Sequence, residues 1–264
     1  MGLEPVKDKM KNDSFNILFI TQEDPFYVRL FFEEFFRKYP SIKDIKAVVI
    51  APTMGKKSFG NLIKQMYNFY GPVDFVRMGI RYTLNKVLDK SISSLCRRYN
   101  IPVMNCNNIN SEDFLKEIEK LDLDLIASVA ASQIFKERLI KLPKKGCINI
   151  HNSRLPKYRG MMPNFWQMLN EEKSVGTTIH RINIGIDDGD ILLQKETPIL
   201  NRESLDSIIK RTKRFGAGLM IEAINGLKTD SLKPLPNPKE EATYFSFPTK
   251  KDVQEFRRKG YKLI

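Results

Sequence analysis

The stretch from Phe15 to Lys38, FNILFITQEDPFYVRLFFEEFFRK, decides the fold class. Phe15 to Thr21 is a largely apolar run of strand length. Asp24-Pro25 then reads as a helix start, with aspartate as the N-cap and proline at the first helical position, where a missing N–H costs nothing. A helix over Phe26 to Lys38 brings Phe26, Leu30, Phe31 and Phe35 onto one broad face able to pack on a sheet. Ile45 to Ala51 follows as a second strand, so the chain passes from strand to helix to strand.

The same alternation continues outward. Apolar runs at Leu123 to Val129 and Cys147 to His151 alternate with helical segments near Glu112 to Leu121 and Phe135 to Ile140, the signature of βαβ units. The expected fold class is α/β, a mostly parallel sheet flanked by helices. Val175 to Ile182 and Ile191 to Thr197 should pair as neighbouring strands around a loop, Asn183 to Asp190. A helix from about Ser204 to Asn225 follows, with Leu205, Ile208, Ile209, Leu219, Met220, Ala223 and Ile224 on one face and its end at Gly226. Pro234, Pro236 and Pro238 then mark an extended arm through Tyr244-Phe245, with a short basic helix at Lys251 to Lys259.

Between these elements, Ser58 to Asn100 is long for one crossover and reads as two helices broken by Gly71-Pro72. It carries Tyr67, Phe69, Tyr70 and Phe75 beside Lys64, Arg77 and Arg81. Aromatic residues at helical spacing are usually core, so this insertion should cover the sheet; the alternative is a docking surface for an anionic partner or a membrane surface. The expected organisation is a lead-in over 1–14, a catalytic domain over 15–226 with the helical insertion at 58–100, and a C-terminal arm over 227–264.

Composition narrows the function classes. A chain of 264 residues with 42% hydrophobic and 28% charged residues can bury a full core. No stretch approaches the roughly 20 apolar residues that span a bilayer, and Met1 to Ser14 lacks a secretory signal, so a cytoplasmic protein is expected. Cys96, Cys106 and Cys147 are too few and too widely spaced for a disulfide framework or a CxxC metal site. A net charge of +13 attracts polyanions, but scattered basic residues without interleaved aromatics make nucleic acid an unlikely partner.

The two histidines, His151 and His180, fall in one dense polar stretch. His151 ends a strand in INIHNSRLPKYRG, at the sheet edge where open α/β folds place ligands. Asn149, two residues earlier, points to the same side. A buried Asn and His facing one way need polar partners or a polar ligand. Leu155-Pro156 and Arg159-Gly160 shape the loop beyond, and Gly185-Ile186-Asp187-Asp188-Gly189-Asp190 supplies a second loop rich in carboxylates. That second loop lacks the twelve-residue calcium pattern. The chain has no GxGxxG after its first strand, no GxxxxGK[ST], no GxSxG around Ser153, and no metal-binding spacing.

The run from Asp124 to Ile199 resembles the core of the folate-dependent formyltransferases, a family that includes glycinamide ribonucleotide, methionyl-tRNA and nucleotide-sugar enzymes. The resemblance rests on Asn149-Ile150-His151, on Leu155 to Gly160 as a Leu-Pro-x-Tyr-Arg-Gly-like loop, and on Asp187-Asp188-Gly189, in that order. It implies a Rossmann-like formyltransferase fold, 10-formyltetrahydrofolate as formyl donor, no metal, and Asn149, His151 and Asp187 as catalytic residues. Asn149 and His151 would stabilise the tetrahedral oxyanion, and Asp187 would take the proton shed by the attacking amine. By position, Ser132, Gln133, Ile134 and Phe135, with Ile184, Gly185 and Ile186, would hold the pterin, although Ala-Ser-Gln stands where a glycine-containing turn is common. His180 matches an auxiliary histidine, while Ser153, Lys157 and Arg159 fall on the acceptor side, the last two as phosphate contacts.

The acceptor follows from the same resemblance. The tRNA enzyme carries a C-terminal β-barrel domain and the glycinamide ribonucleotide enzyme is more compact, whereas the Tyr244-Phe245 arm resembles the tail of sugar formyltransferases. The expected acceptor is therefore a small anionic amine, an amino sugar nucleotide. The alternatives are the tRNA or glycinamide ribonucleotide reaction, a formyltetrahydrofolate hydrolase, which would bring an N-terminal domain that has no room before Phe15, and a non-catalytic folate- or RNA-binding protein. Oligomeric state is not encoded in any of these motifs.

Overall fold

A computed structural model describes residues 15–52 and 59–264. Its strands are β1 (Ile17–Gln22), β2 (Ile45–Ala51), β3 (Val103–Asn105), β4 (Leu125–Val129), β5 (Cys147–His151), β6 (Arg159–Gly160), β7 (Ser174–Arg181), β8 (Ile191–Pro198) and β9 (Tyr244–Phe245). Its α-helices are α1 (Val28–Lys38), α2 (Phe59–Val87), α3 (Ile92–Arg98), α4 (Glu112–Glu119), α5 (Glu137–Lys141), α6 (Pro163–Leu169), α7 (Leu205–Lys228) and α8 (Lys250–Arg258). The predicted lead-in over 1–14 and the first residue of the predicted insertion, Ser58, lie outside the described residues.

Seven strands form one sheet in the order β3-β2-β1-β4-β5-β7-β8, and β6 pairs separately with β9. Strands β1 to β5 run parallel, and β7 and β8 add an antiparallel edge, with Asn149 opposite His180 and His151 opposite Thr178. The expected α/β fold is therefore present. The chain leaves β1 toward β2 on one side and reaches β4 on the other. That reversal opens a crevice at the carboxyl ends of β1 and β4, the position where open α/β sheets bind ligands.

Both faces of the sheet are covered, which is why β1 and β4 are apolar without alternation. On one face α1, α3 and α7 pack on Ile17, Phe19, Val48, Leu125 and Ala127. On the other, α4 and α5 cover Leu18, Ile20, Val49 and Ile126 through Phe114, Leu115, Ile118 and Leu139. A third cluster draws the C-terminal arm back onto the fold, with Phe165 stacked on Phe256 at 4.6 Å and Trp166 on Phe245 at 4.7 Å.

Several elements differ from the sequence expectation for identifiable reasons. Asp24 does cap the turn after β1, its Oδ1 accepting the Phe26 and Tyr27 amides, but α1 begins only at Val28. This start sets the buried face to Phe31, Phe32, Phe35 and Phe36, leaving Leu30 and Phe26 part-buried. Helix α7 passes through Gly226 and ends at Lys228, because Lys228 is held by Asp44 at 2.5 Å. Strand β3 is three residues long and was too short and polar to stand out. In the insertion the break at Gly71 is real (φ 69°, ψ 174°), but α2 packs on α8, and α3 is the insertion's helix that joins the sheet's core. Phe69 is buried beside Phe165 and Phe247, yet Tyr67 is exposed.

Helix α7 packs beside α1 on one face of the sheet and contacts β7 and β8. Near its start Asp206 accepts hydrogen bonds from the Tyr27 hydroxyl (3.0 Å) and Arg81 (2.6 Å), beyond the carboxyl end of β1. Gly216 sits on Ile150 so closely that a Cβ there would meet Ile150 Cδ1 at 2.4 Å. The residues between, including Lys213, thus span from the crevice to the carboxyl end of β5.

Candidate active site

Four polar side chains converge beside β5 and its antiparallel neighbour β7. Asn149 and His180, directly opposite in the β5–β7 register, are joined through Asn149 Nδ2 and His180 Nε2 at 3.1 Å. His180 Nδ1 lies 2.7 Å from the Arg181 carbonyl. A carbonyl only accepts, so in the neutral ring the proton sits on Nδ1, and Nε2 accepts from the Asn149 amide. The same logic fixes His151, whose Nε2 donates to the Tyr158 carbonyl at 2.8 Å. His151 Nδ1 is left with its lone pair toward the Asp187 carboxylate, 3.5 Å from Oδ2.

Asp187 is the charge around which the site is built. Its Oδ2 accepts the Gly160 amide at 2.9 Å, and its Oδ1 lies 3.6 Å from His180 Nε2. Burial pushes this carboxyl up, but His151, His180 and the Gly160 amide more than offset it and hold it well below the usual carboxylate range. His151 responds in the opposite sense: burial lowers its pKa, and the nearby Asp187 only partly restores it. The ground state is an ionised aspartate facing a neutral imidazole.

The backbone that carries these groups is strained. Asp187 (φ 50°), Tyr158 (φ 62°) and Met162 (φ 53°) all occupy the left-handed region, a cluster of the kind found at functional sites. Gly160, at φ 94°, could not be another residue: a Cβ there would lie 2.3 Å from the Phe245 carbonyl. The loop is pinned by the C-terminal arm. Strand β6 pairs in parallel with β9, Tyr158 N–H donates to Thr243 Oγ1 (2.9 Å), and Arg159 donates to Asn237 Oδ1 (2.7 Å). Asn237 in turn donates to the Asp187 and Gly189 carbonyls, each at 2.9 Å.

Of the sequence-predicted residues, Asn149, His151, Asp187 and His180 are brought together. Ser153 is fully buried and donates to the Lys157 carbonyl at 2.8 Å, which shapes the loop, while the Lys157 side chain is exposed. Arg159 is buried against Asn237 rather than open to solvent. After β4, Ser132 donates to the Pro52 carbonyl, Gln133 ties Ile109 N–H and the Asn107 carbonyl, and Phe135 is core. Ile134, Ile184 and Ile186 are exposed apolar side chains, and Gly185 sits beside the Asp188 carboxylate. Ala130, just before the Ala-Ser-Gln turn, is left-handed at φ 53°.

Asn237 and Lys213 escaped the sequence reading, and Tyr158 was read only as part of the Leu155–Gly160 loop. Asn237 and Tyr158 act through contacts that only folding creates. Lys213 is part-buried on α7, close enough to His151 and Asp24 for each pair to feel the other's charge, and burial lowers its pKa. Among the described residues it has no hydrogen-bond or ion-pair partner. A lone lysine on a helix carries no sequence signal of this kind. Among the described residues no group of three His, Cys, Asp or Glu side chains is arranged to hold a metal ion.

The fold is an open α/β sheet of Rossmann-like type, with an Asn, two His and an Asp gathered beside one of its parallel strands. The match to known proteins specifies it: residues 82–224 match the family described as Formyl transferase, and the chain belongs to the folate-dependent formyl transferase family. It is 34% identical over 159 residues to the methionyl-tRNA formyltransferase of Trichlorobacter lovleyi, an alignment covering 60% of this chain and 50% of that protein. The chain thus spans about half the length of this relative. In fold it resembles a sugar N-formyltransferase from a Shewanella species (TM-score 0.56, 21% identity, 88% of this chain and 77% of that one). It also resembles glycinamide ribonucleotide transformylase 1 from Symbiobacterium toebii (TM-score 0.59, 14% identity, 84% and 94%).

Proposed function

We propose that the protein transfers the formyl group of 10-formyltetrahydrofolate to the primary amine of a small anionic acceptor, an amino sugar nucleotide. The observation that carries the reading is the Asn149–His180–Asp187–His151 cluster, with its tautomers set by backbone carbonyls. The amine nitrogen attacks the formyl carbon, forming a C–N bond and moving the carbonyl electron pair onto oxygen. The Asn149 N–H not engaged by His180 donates to that oxyanion. The proton shed by the amine goes to His151 Nδ1, where ionised Asp187 stabilises the resulting imidazolium. Collapse breaks the bond to the folate nitrogen, and His151 returns the proton to it.

This division of labour gives Asp187 a charge-stabilising role, because a carboxyl held so far below its usual range is a weak proton acceptor. The exposed Ile134, Ile184 and Ile186, on the two loops assigned to the pterin, support folate binding between them. Ser132, Gln133, Phe135 and Gly185 then serve through backbone and loop shape. Lys213, unpaired and near both His151 and Asp24, suits an acceptor phosphate better than the exposed Lys157 or the Asn237-bound Arg159. The arm over 227–264 completes the catalytic unit of 15–226 by holding its loop. Cytoplasmic location belongs to the same reading, since Cys96, Cys106 and Cys147 are buried unpaired thiols of the kind a reducing compartment maintains.

A second reading, formylation of methionyl-tRNA, is favoured by the 34% identity to an enzyme of that name and by the +13 charge. One assay separates the two: the protein is mixed with 10-formyltetrahydrofolate and either nucleotide-linked amino sugars or methionyl-tRNA, and released tetrahydrofolate is followed. Turnover with the sugars alone is the expected result. Release without any acceptor would make the protein a hydrolase, and turnover with methionyl-tRNA alone would replace the sugar assignment.

A further inference from the structure

Beyond Gly71, helix α2 has one side against the fold and an apolar side turned outward. Met78 and Asn85 are buried against the fold. Val73, Val76, Ile80, Leu84 and Val87 recur at intervals of three and four, and each is more than half exposed, as is Leu88. At 100° per residue the five fall within an arc of about 80°, roughly opposite the buried side, and run about 21 Å along the axis. Leu62, Ile63 and Tyr67 extend the exposed apolar surface before the break. A helix that buries one face and leaves an aliphatic stripe on the other is built to meet a second apolar phase.

The charges on this helix and the turn after it select that phase. Between Leu62 and Lys90 lie five cations, Lys64, Arg77, Arg81, Lys86 and Lys90, against two carboxylates, Asp74 and Asp89. Asp74 is paired with Arg77 and Arg257, and Asp89 with Arg97, so the carboxylates are neutralised while Lys64, Lys86 and Lys90 stay exposed. A second copy of the chain would bring the same positive surface face to face with itself, on a protein already at +13. An anionic lipid surface complements both the stripe and the cations. No helix among the described residues is long and apolar enough to cross a membrane, so the geometry is that of a helix lying in the interface.

We infer that the exposed face of α2 docks the protein on anionic lipid membranes, with the Val73–Val87 stripe in the acyl boundary and the flanking lysines among the headgroups. The inference does not depend on which amine is formylated. The test is co-sedimentation of the full chain with phosphatidylcholine vesicles containing about a third phosphatidylglycerol, and with phosphatidylcholine alone, at about 0.1 M and about 0.5 M salt. Binding is expected to the anionic vesicles, weakened by salt, and reduced at least about tenfold by Val76→Asp with Ile80→Asp or by Lys86→Glu with Lys90→Glu. All four side chains are exposed, and circular dichroism with sedimentation velocity checks that each variant keeps the fold. In a separate Ile80→Trp variant the added indole should shift its emission to the blue on anionic vesicles. Equal binding to both lipid compositions, no binding at all, or binding unchanged in both double variants would overturn the inference. So would a stable dimer that the Val76→Asp, Ile80→Asp variant dissociates, which would assign the stripe to a second copy.

Discussion

Replacing Asp187 by asparagine tests the electrostatic core of the site while changing almost no volume. The asparagine Oδ1, placed where Asp187 Oδ2 accepts the Gly160 amide at 2.9 Å, keeps an oxygen toward His151 Nδ1, and its Nδ2 takes the Oδ1 position facing His180 Nε2. The loop and the neutral tautomers should therefore survive. What disappears is the negative charge 3.5 Å from His151 Nδ1. A unit pair at that distance, in surroundings of effective dielectric about 20, is worth about 5 kcal/mol. That stabilisation is present only when His151 is protonated, during formyl transfer, so its loss falls on the chemical step and should lower kcat by about three decades. The assay is single-turnover release of tetrahydrofolate, with folate binding measured separately by fluorescence. Binding should change little, because the groups assigned to the pterin are backbone and apolar. A second readout comes from linkage. A carboxyl whose folded pKa is depressed stabilises the protein fully above its unfolded value of about 3.9 and loses that contribution as pH falls, so the variant should unfold in acid with a shallower dependence. A kcat within tenfold of the parent, or a loss confined to KM, would refute the assignment.

Other expectations follow from the same geometry. Burial lowers His151 below its ordinary value near 6.5, so kcat/KM should stay level through neutral pH and fall only below about 6.5, and native stability should also decline as pH drops through that range; an acid limb above 6.5 would contradict the buried neutral imidazole. Gly160→Ala forces a Cβ to 2.3 Å from the Phe245 carbonyl at a φ of 94°, which should cost about 2–4 kcal/mol and lower the thermal midpoint by several degrees, with turnover falling further as Asp187 loses its amide anchor. An unchanged calorimetric midpoint would show that β6 and β9 can separate freely. Lys213→Gln should raise the KM for a phosphorylated acceptor about tenfold or more while leaving kcat and folate binding nearly intact, and steady-state kinetics with an uncharged amine should show no such effect.

The parts of this molecule that were legible in its sequence are those whose signal is local. The Cys147–His151 strand has its observed bounds because an apolar run ends in a polar pair, and the β7 and β8 runs pair as their composition suggests. Period two placed Asn149 and His151 on one side of β5 and two polar loops pointed to one pocket, but it was the resemblance to the formyltransferases that singled out Asp187. Other features were hidden for physical reasons. Periodicity reports which residues share a helix face, not whether anything covers it, so α2 was read as a cover for the sheet although its outer stripe is bare. Asn237 is invisible because its hydrogen bonds span fifty residues to Asp187 and forty-eight to Gly189. Glycine at 226 was read as a helix end, but Lys228 reaching Asp44 rewards two further residues of helix.

Those hidden contacts show how a weakly basic carboxylate would serve the proposed proton transfer. Had Asp187 stood alone on a flexible loop, it would titrate in the ordinary range and offer no fixed field. Instead its φ of 50° is enforced from both sides, by Gly160 N–H on the carboxylate and by Asn237 on its own carbonyl. Asn237 is in turn held by Arg159, in the strand that β9 pins from the C-terminal arm. Arm packing and hydrogen bonding, distributed over Trp166, Phe245, Thr243 and Asn237, thus converge on the orientation of one charge. In the proposed reaction the proton would move through His151, which burial keeps neutral at rest, and the arm holds in place the charge that would stabilise it there.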